Sequence, residues 1–137
     1  MAVQFNVATR NARLDQIESL NGTSCSLEIR TGSPPASCAT AGTGTVLATI
    51  NLPTDWMAAA SSGSKSIAGT WTDASADATG TAGYFRVYNS QATKDNTTCF
   101  MQGTVGTSGT DMTVNSTSFV AGNSFTVNTF TLTDGNA

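Results

Sequence analysis

The sequence predicts a mainly β fold, an antiparallel β-sandwich or barrel of about seven strands with one N-terminal helix. From residue 25 onward apolar and polar residues alternate, and turns rich in Gly, Ser and Asn separate the alternating stretches. Helical spacing of apolar residues is confined to the beginning of the chain. Because strands and helices do not alternate, a parallel α/β sheet is disfavoured. The 137 residues suit a single domain, 1–137, with a helix over 6–20 and the β-sandwich over 25–133.

The expected helix carries Val7, Leu14, Ile17 and Leu20 near helical spacing, and Gly22 stands where a C-terminal cap would be. About four turns of helix are marginally stable alone in water, so the helix must dock on another surface. We expect it to dock through Val7, Leu14 and Ile17. Its partner is either its own sheet or a neighbouring subunit.

The strands supply the predicted core, since every second side chain of a half-buried strand faces inward. In the last strand Phe125 and Val127 share one face while Phe130 and Leu132 fall on the other, which indicates either a β-bulge or a strand that passes between two environments. The residues expected to be mostly buried are Leu27, Ile29, Ile50, Trp71, Phe85, Val87, Met101, Val114, Phe125 and Val127.

Trp56 and Met57 are candidate interaction residues at an edge of the sandwich. They follow Pro53 and a capping Thr54 or Asp55, which favours a short helical turn. One interpretation is that they plug the open end of the core. The other is that they anchor a contact with another subunit, because aromatic residues and Met are enriched in interface cores. Burial of Trp56 in the isolated subunit would exclude the anchor.

A second candidate interaction site lies on the strand that contains Phe85 and Val87. If these two point into the core, alternation places Tyr84, Arg86 and Tyr88 together on the opposite face. Such a stripe is either an ordinary solvated face or a contact with a neighbouring subunit, since Tyr and Arg are common in interface hot spots.

The composition narrows the classes of partner. Charged residues make up only 11% of the chain, against about 25% in ordinary soluble domains, which suits neutral surfaces that pack against other proteins. The alternative is a Thr-rich β protein whose low charge serves no such purpose. The net charge of −3 and six scattered basic residues argue against a nucleic-acid partner. No apolar run approaches the ~18 residues of a membrane span, and the first residues lack the pattern of a signal peptide. We therefore expect a soluble protein made in the cytoplasm.

Catalysis is disfavoured because the chain contains no histidine. This absence removes Ser-His-Asp and Cys-His nucleophilic systems and most transition-metal sites. Lys65 is expected to be a solvated charge beside a strand. No catalytic residue, metal site or cofactor is predicted.

Three cysteines, Cys25, Cys38 and Cys99, are expected to be reduced thiols that act as small buried apolar groups. They form no C-x-x-C pair. A disulfide between Cys25 and Cys38 is the alternative.

Four segments taken together resemble a family of small, mostly uncharacterised structural (virion) proteins of tailed bacteriophages. They are Leu52-Pro53-Thr54-Asp55-Trp56-Met57 leading to Gly69-Thr70-Trp71, Gly80-Thr81-Ala82-Gly83-Tyr84-Phe85-Arg86-Val87-Tyr88, Met101-Gln102-Gly103-Thr104-Val105-Gly106, and Phe125 to Leu132 before Gly135-Asn136-Ala137. The resemblance covers most of the chain after residue 25. It implies a role in the virion and carries no catalytic residues.

The resemblance and the neutral composition together favour a capsid decoration (cement) protein that is made in the host bacterial cytoplasm and resides in the virion. Its expected partners are other virion proteins, either the major capsid protein or tail proteins, and copies of itself in a homo-oligomer. A tail or head–tail connection component is the first alternative. The second is a glycan-binding β-sandwich module of a receptor-binding protein, which exposed Trp and Tyr side chains in a shallow groove would support.

Overall fold

The computed structural model describes residues 3–135, so Asn136 and Ala137, which close the last of the four segments, lie outside the described residues. Within that range the chain forms one α-helix and nine strands, which confirms a mainly β fold with an N-terminal helix. The elements are α1 (Val7–Asn21), β1 (Ser26–Thr31), β2 (Val46–Asn51), β3 (Ser64–Ser66), β4 (Thr72–Asp73), β5 (Gly80–Tyr88), β6 (Cys99–Gly106), β7 (Met112–Val114), β8 (Ser118–Phe119) and β9 (Phe125–Thr133).

The strands form a mixed sheet that curves into a half-barrel in the order β2-β1-β5-β6-β7-β9-β3, with β4 paired to β9 and β8 paired to β5. Among the described strands every pair is antiparallel except β6–β7. The expectation of a purely antiparallel sheet is therefore wrong at this pair. The prediction of about seven strands missed short strands such as β4 and β8, which have two residues each.

The parallel pair arises from a tight return of the chain between Gly106 and Met112. Parallel neighbours normally need a crossover of a dozen or more residues, but here only two residue pairs are aligned. Asp111 closes the return, because its Oδ2 accepts hydrogen bonds from the Thr104 backbone N and Oγ1, each 2.9 Å away. The alternation of apolar residues carries no signal for such a return.

The C-terminal cap of α1 is at Gly22 as the sequence predicts, whereas Asn6, expected to be the first helical residue, is the N-terminal cap, so the helix lies one residue later than the expected 6–20. The Oδ1 of Asn6 accepts a hydrogen bond from the Thr9 backbone N at 2.9 Å. At the other end Gly22 has a φ of 79°, and its N–H donates to the carbonyl of Glu18 at 3.0 Å.

The inner face of the half-barrel holds the apolar core. Nine of the ten residues predicted for the core are buried, and Met101 is partly buried and packs against them. The rings of Phe85 and Trp71 both contact Phe130, with centroid distances of 5.3 and 5.9 Å. These aromatic contacts join β5 in the middle of the sheet to β9 near its edge.

The predicted bulge in the last strand is confirmed at Asn128. Thr113 pairs with Thr129 and Val114 with Val127, so Asn128 is an extra residue on β9. The extra residue shifts the phase of the strand and brings Phe130 to the buried side, where Phe125 and Val127 also lie.

The outer face of the sheet is also covered, contrary to the expectation of a half-buried first strand. Ser26 and Glu28 of β1 are buried. The loop formed by residues 32–45 packs on this face and approaches β5 closely, because a Cβ at Gly83 would lie 1.9 Å from the carbonyl oxygen of Gly32. This loop, which is rich in small polar residues, therefore covers the outer face of the sheet.

Candidate functional site

The exposed apolar side chains are concentrated at the N-terminus. Of the five large apolar side chains exposed within residues 3–135, four lie before or on α1: Val3, Phe5, Val7 and Leu20, which are 78%, 41%, 46% and 75% exposed. The fifth, Val120, lies between β8 and β9.

An apolar groove with a volume of 350 Å³ separates α1 from β6. It is lined by Arg13, Gln16, Ile17, Leu20 and Asn21 of α1 and by Phe100 and Met101 of β6. The α1 residues follow a spacing of three and four, so they share one face of the helix. We call this groove together with Val3, Phe5, Val7 and Leu20 the N-terminal surface.

Phe5 is held next to the groove by Arg13. The guanidinium carbon of Arg13 lies 5.1 Å from the centre of the Phe5 ring, within the range of a cation–π contact. The Nε of Arg13 also lies 3.2 Å from Oδ2 of Asp134. Arg13 thereby connects the segment before α1 to Asp134, the residue that follows β9.

The helix itself is attached to the sheet largely through polar contacts around Lys65. Leu14 is the buried residue of α1. The Nζ of Lys65, whose side chain is 2% exposed, lies 2.8 Å from Asp15 Oδ1 and 3.1 Å from Glu18 Oε2, and donates to the carbonyl of Ala58 at 2.9 Å. The interpretation of Lys65 as a solvated charge is therefore wrong, since two carboxylates of α1 compensate its burial.

These ionic contacts shift the pKa values of both partners. Burial alone would lower the pKa of the Lys65 ammonium, but the hydrogen bonds to Asp15 and Glu18 outweigh it and raise that pKa above its ordinary value. The hydrogen bond from Lys65 lowers the pKa of Asp15, and the backbone N–H of Ala60 adds to this effect.

The docking expected through Val7, Leu14 and Ile17 is confirmed only in part. Leu14 is buried and Ile17 packs half-buried against the core, but Val7 is 46% exposed. Val7 is the first residue of α1, and the polar contacts of the helix to the 57–65 segment begin later, with Asn11 accepting a hydrogen bond from the Gly63 backbone N at 2.8 Å.

Tyr84, Arg86 and Tyr88 share the face opposite Phe85, as alternation predicts, but all three are 0% exposed. The 32–45 loop covers them, so they present no surface to a neighbouring subunit. The expectation that this stripe is an interface or a solvated face is corrected: it is an internal polar layer between the sheet and its own loop.

Arg86 organises that layer through the backbone of the loop. Its Nη2 donates to the carbonyl oxygens of Ser37, Cys38 and Thr40 at 3.2, 2.9 and 2.7 Å. Its Nε and Nη1 have no hydrogen-bond partner among the described residues. Arg86 is thus a buried cation held by carbonyl dipoles.

The two tyrosines of the layer bind different groups. The hydroxyl of Tyr84 donates to the carbonyl of Thr43 at 2.5 Å and accepts from the Thr43 backbone N at 2.9 Å. The hydroxyl of Tyr88 donates to Oε2 of Glu28 at 3.1 Å, and Arg30 pairs with the same oxygen at 2.8 Å. Burial, together with the Glu28 carboxylate, raises the pKa of Tyr88 to about 12.

Trp56 and Met57 are also buried, at 0% and 1% exposure. The Nε1 of Trp56 donates to the carbonyl of Gly22 at 3.1 Å, and its ring lies 5.8 Å from that of Phe100. The interpretation of these residues as a plug of the core fits this arrangement, whereas the anchor interpretation is contradicted by the burial of Trp56.

The expected helical turn before and around these residues is absent between residues 53 and 60. Met57 instead forms an isolated β-bridge with Ile67. The backbone N–H of Met57 also donates to Oε1 of Glu18 at 3.3 Å, and that of Ala58 donates to the carbonyl of Ser66 at 2.8 Å, so the segment is fixed by α1 and β3 rather than by its own helix.

Residues 3–135 contain no group of three or more Cys, Asp or Glu side chains that could hold a metal ion. No helix in this range is long and apolar enough to cross a membrane.

Comparison with known proteins adds no family to this picture. No protein-family model matches the chain, and no match was found among curated proteins or among solved structures.

Proposed function

We propose that this chain is a structural protein of a tailed-phage virion and that it acts as a capsid decoration protein. The resemblance of four segments to small virion proteins supports the role, as does a charged fraction of only 11%. A chain that assembles with other subunits benefits from few charges, because each charge buried at an interface must be desolvated.

The N-terminal surface is the proposed site of attachment. Four of the five large apolar side chains exposed within residues 3–135 lie before or on α1, and one of them, Leu20, lines the groove together with the half-buried Ile17, Phe100 and Met101. This concentration is the observation that carries the proposal, since the other predicted contact residues are internal. The partner is another virion subunit with an apolar contact surface, either the major capsid protein or a second copy of this chain.

The positions of the aromatic residues bear on the glycan-binding alternative. Carbohydrate-binding modules of this kind would present Trp or Tyr rings at the surface. Here both tryptophans, Trp56 and Trp71, and both tyrosines, Tyr84 and Tyr88, are fully buried. The alternative therefore lacks the feature that would favour it.

Quantitative mass spectrometry of purified virions tests the proposed function. Hundreds of copies per particle are expected for a decoration protein. A dozen or fewer copies would overturn that role in favour of a connector or tail component. Absence of the chain from particles that are otherwise complete would contradict any structural role in the virion.

A further inference from the structure

The loop of residues 32–45 crosses strands β5 and β6 along a defined path. Three of the hydrogen bonds that its carbonyls accept lie near Cys38: Pro35 accepts from Gln102 Nε2 at 2.7 Å, Cys38 from Arg86 Nη2 at 2.9 Å, and Ala39 from Asn96 Nδ2 at 3.2 Å. These contacts place the Cys38 backbone over the start of β6.

Cys99 begins β6 and lies opposite Tyr88 in the register of the sheet, so it belongs to the face that the loop covers. The thiols of Cys38 and Cys99 are neighbours, both half-buried and both free. Burial first, and then the contact with Cys38, raise the pKa of the Cys99 thiol to about 11.

Cys25 occupies a different place. It is fully buried, and its Sγ contacts the carbonyls of Asn21 and Gly22 at the end of α1, at 3.5 and 3.6 Å. All three cysteines are free, and the alternative disulfide between Cys25 and Cys38 is not formed.

We propose that Cys38 and Cys99 are a site of reversible oxidation, at which an intramolecular disulfide clasps the 32–45 loop onto β6. The reaction is thiol–disulfide exchange with a small-molecule disulfide such as oxidised glutathione. One thiolate attacks a glutathione sulfur and releases the first glutathione. The second thiolate then attacks the mixed disulfide and releases the other. Two protein thiols and one oxidised glutathione thus give one protein disulfide and two reduced glutathiones.

The clasp would join two residues that are 61 positions apart in the chain (99 − 38). Cross-links that close long loops restrict the unfolded chain strongly. The thiols stay reduced in a glutathione-rich cytosol, and the clasp closes when the protein reaches an oxidising medium. The cover over Arg86 would then be covalently fixed. This inference does not depend on the proposed virion role.

The test uses the full chain, fully reduced and then incubated with oxidised glutathione, with free thiols counted by a colorimetric thiol reagent. We expect two of the three thiols to be lost, and a non-reduced peptide map to show a link between Cys38 and Cys99. The Cys38→Ser and Cys99→Ser variants should form no internal link. The matched control, Cys25→Ala, should lose both of its thiols.

Closure of the clasp should also raise the melting temperature of the wild-type chain by about 5–10 °C and leave both serine variants unchanged. Retention of all three free thiols, glutathione adducts without an internal link, a link that includes Cys25, or a link only between two molecules would each overturn the proposal. Because the wild-type peptide map is itself decisive, the test holds even if a variant fails to fold.

Discussion

Two regions of the molecule have the opposite exposure to solvent from what their sequences indicate. They are the stripe of Tyr84, Arg86 and Tyr88 and the N-terminal surface. The stripe has the composition of an interface hot spot, yet it is completely buried under the chain's own loop. The N-terminal helix has apolar residues at core spacing, yet Val7 and Leu20 remain exposed. Alternation establishes which face of an element a side chain occupies, but it does not say what covers that face.

The difference has a physical origin in how each region is held. The stripe is covered because backbone carbonyls of the 32–45 loop satisfy the donors of Arg86. The helix is attached through Lys65 and its carboxylate partners, so its apolar side chains are not all needed for docking. One region therefore serves stability, and the other leaves apolar side chains exposed, which we propose serve assembly.

The largest loss of stability is expected for a substitution in the apolar core. This loss is the standard with which the effects in the two regions are compared. Phe85→Ala should lower the free energy of unfolding by about 3–5 kcal/mol, because it removes a buried ring that contacts Phe130 and leaves a cavity. Urea denaturation measures the loss. An unchanged denaturation midpoint would mean that Phe85 is not in the core.

Arg86→Ala should lower the free energy of unfolding by about 2–4 kcal/mol, because it leaves three carbonyls of the covering loop without their donor. Arg86→Met is the matched control, since it keeps most of the buried volume but none of the donors. If Arg86→Ala and Arg86→Met lower the free energy of unfolding equally, the effect comes from the lost hydrogen bonds and not from the lost side-chain volume. If Arg86→Ala left stability unchanged, the stripe would not be a structural layer.

Tyr84→Phe should have a smaller effect, about 1 kcal/mol, because Thr43 is exposed and water can replace the lost hydroxyl. Amide exchange should accelerate within residues 32–45 and stay unchanged in β9. Equal acceleration throughout the chain would contradict the assignment of Tyr84 to the cover alone.

The stability that comes from the attachment of α1 should decrease slightly at low pH and again at high pH. The pKa of Asp15 is lowered, so its contribution to stability is present above its ordinary value of 3.8 and is lost as the pH falls below that value. The pKa of Lys65 is raised, so its contribution is present below 10.5 and is lost as the pH rises beyond it. The difference in urea midpoint between wild type and Lys65→Met should be largest between these limits. A difference that is constant from pH 3 to about 11 would contradict the ionic attachment.

Much of the fold follows from the sequence because the signals are local. Gly22 marks the end of the helix, and the phase change after Val127 indicates a bulge as one of two explanations. The parallel β6–β7 pair was not predictable in this way, since it depends on side-chain hydrogen bonds between Thr104 and Asp111.

The candidate site was harder to predict than the fold. The burial of Arg86 and Lys65 depends on partners that are distant in the chain, and no spacing rule identifies such partners. The N-terminal surface carried one usable signal: Leu20 continues the helical spacing of Val7, Leu14 and Ile17. No pattern in the sequence marked Phe100, which lines the same groove from β6.

The most direct test of the account compares Leu20→Gln with Val120→Gln for attachment to particles. Both positions are exposed apolar residues, but only Leu20 belongs to the N-terminal surface. Because both side chains are exposed, each variant should unfold within about 0.5 kcal/mol of wild type. Quantitative mass spectrometry of particles should then show a marked loss of the Leu20→Gln protein and full occupancy by Val120→Gln. Equal occupancy of both variants would contradict the assignment of assembly to the N-terminal surface.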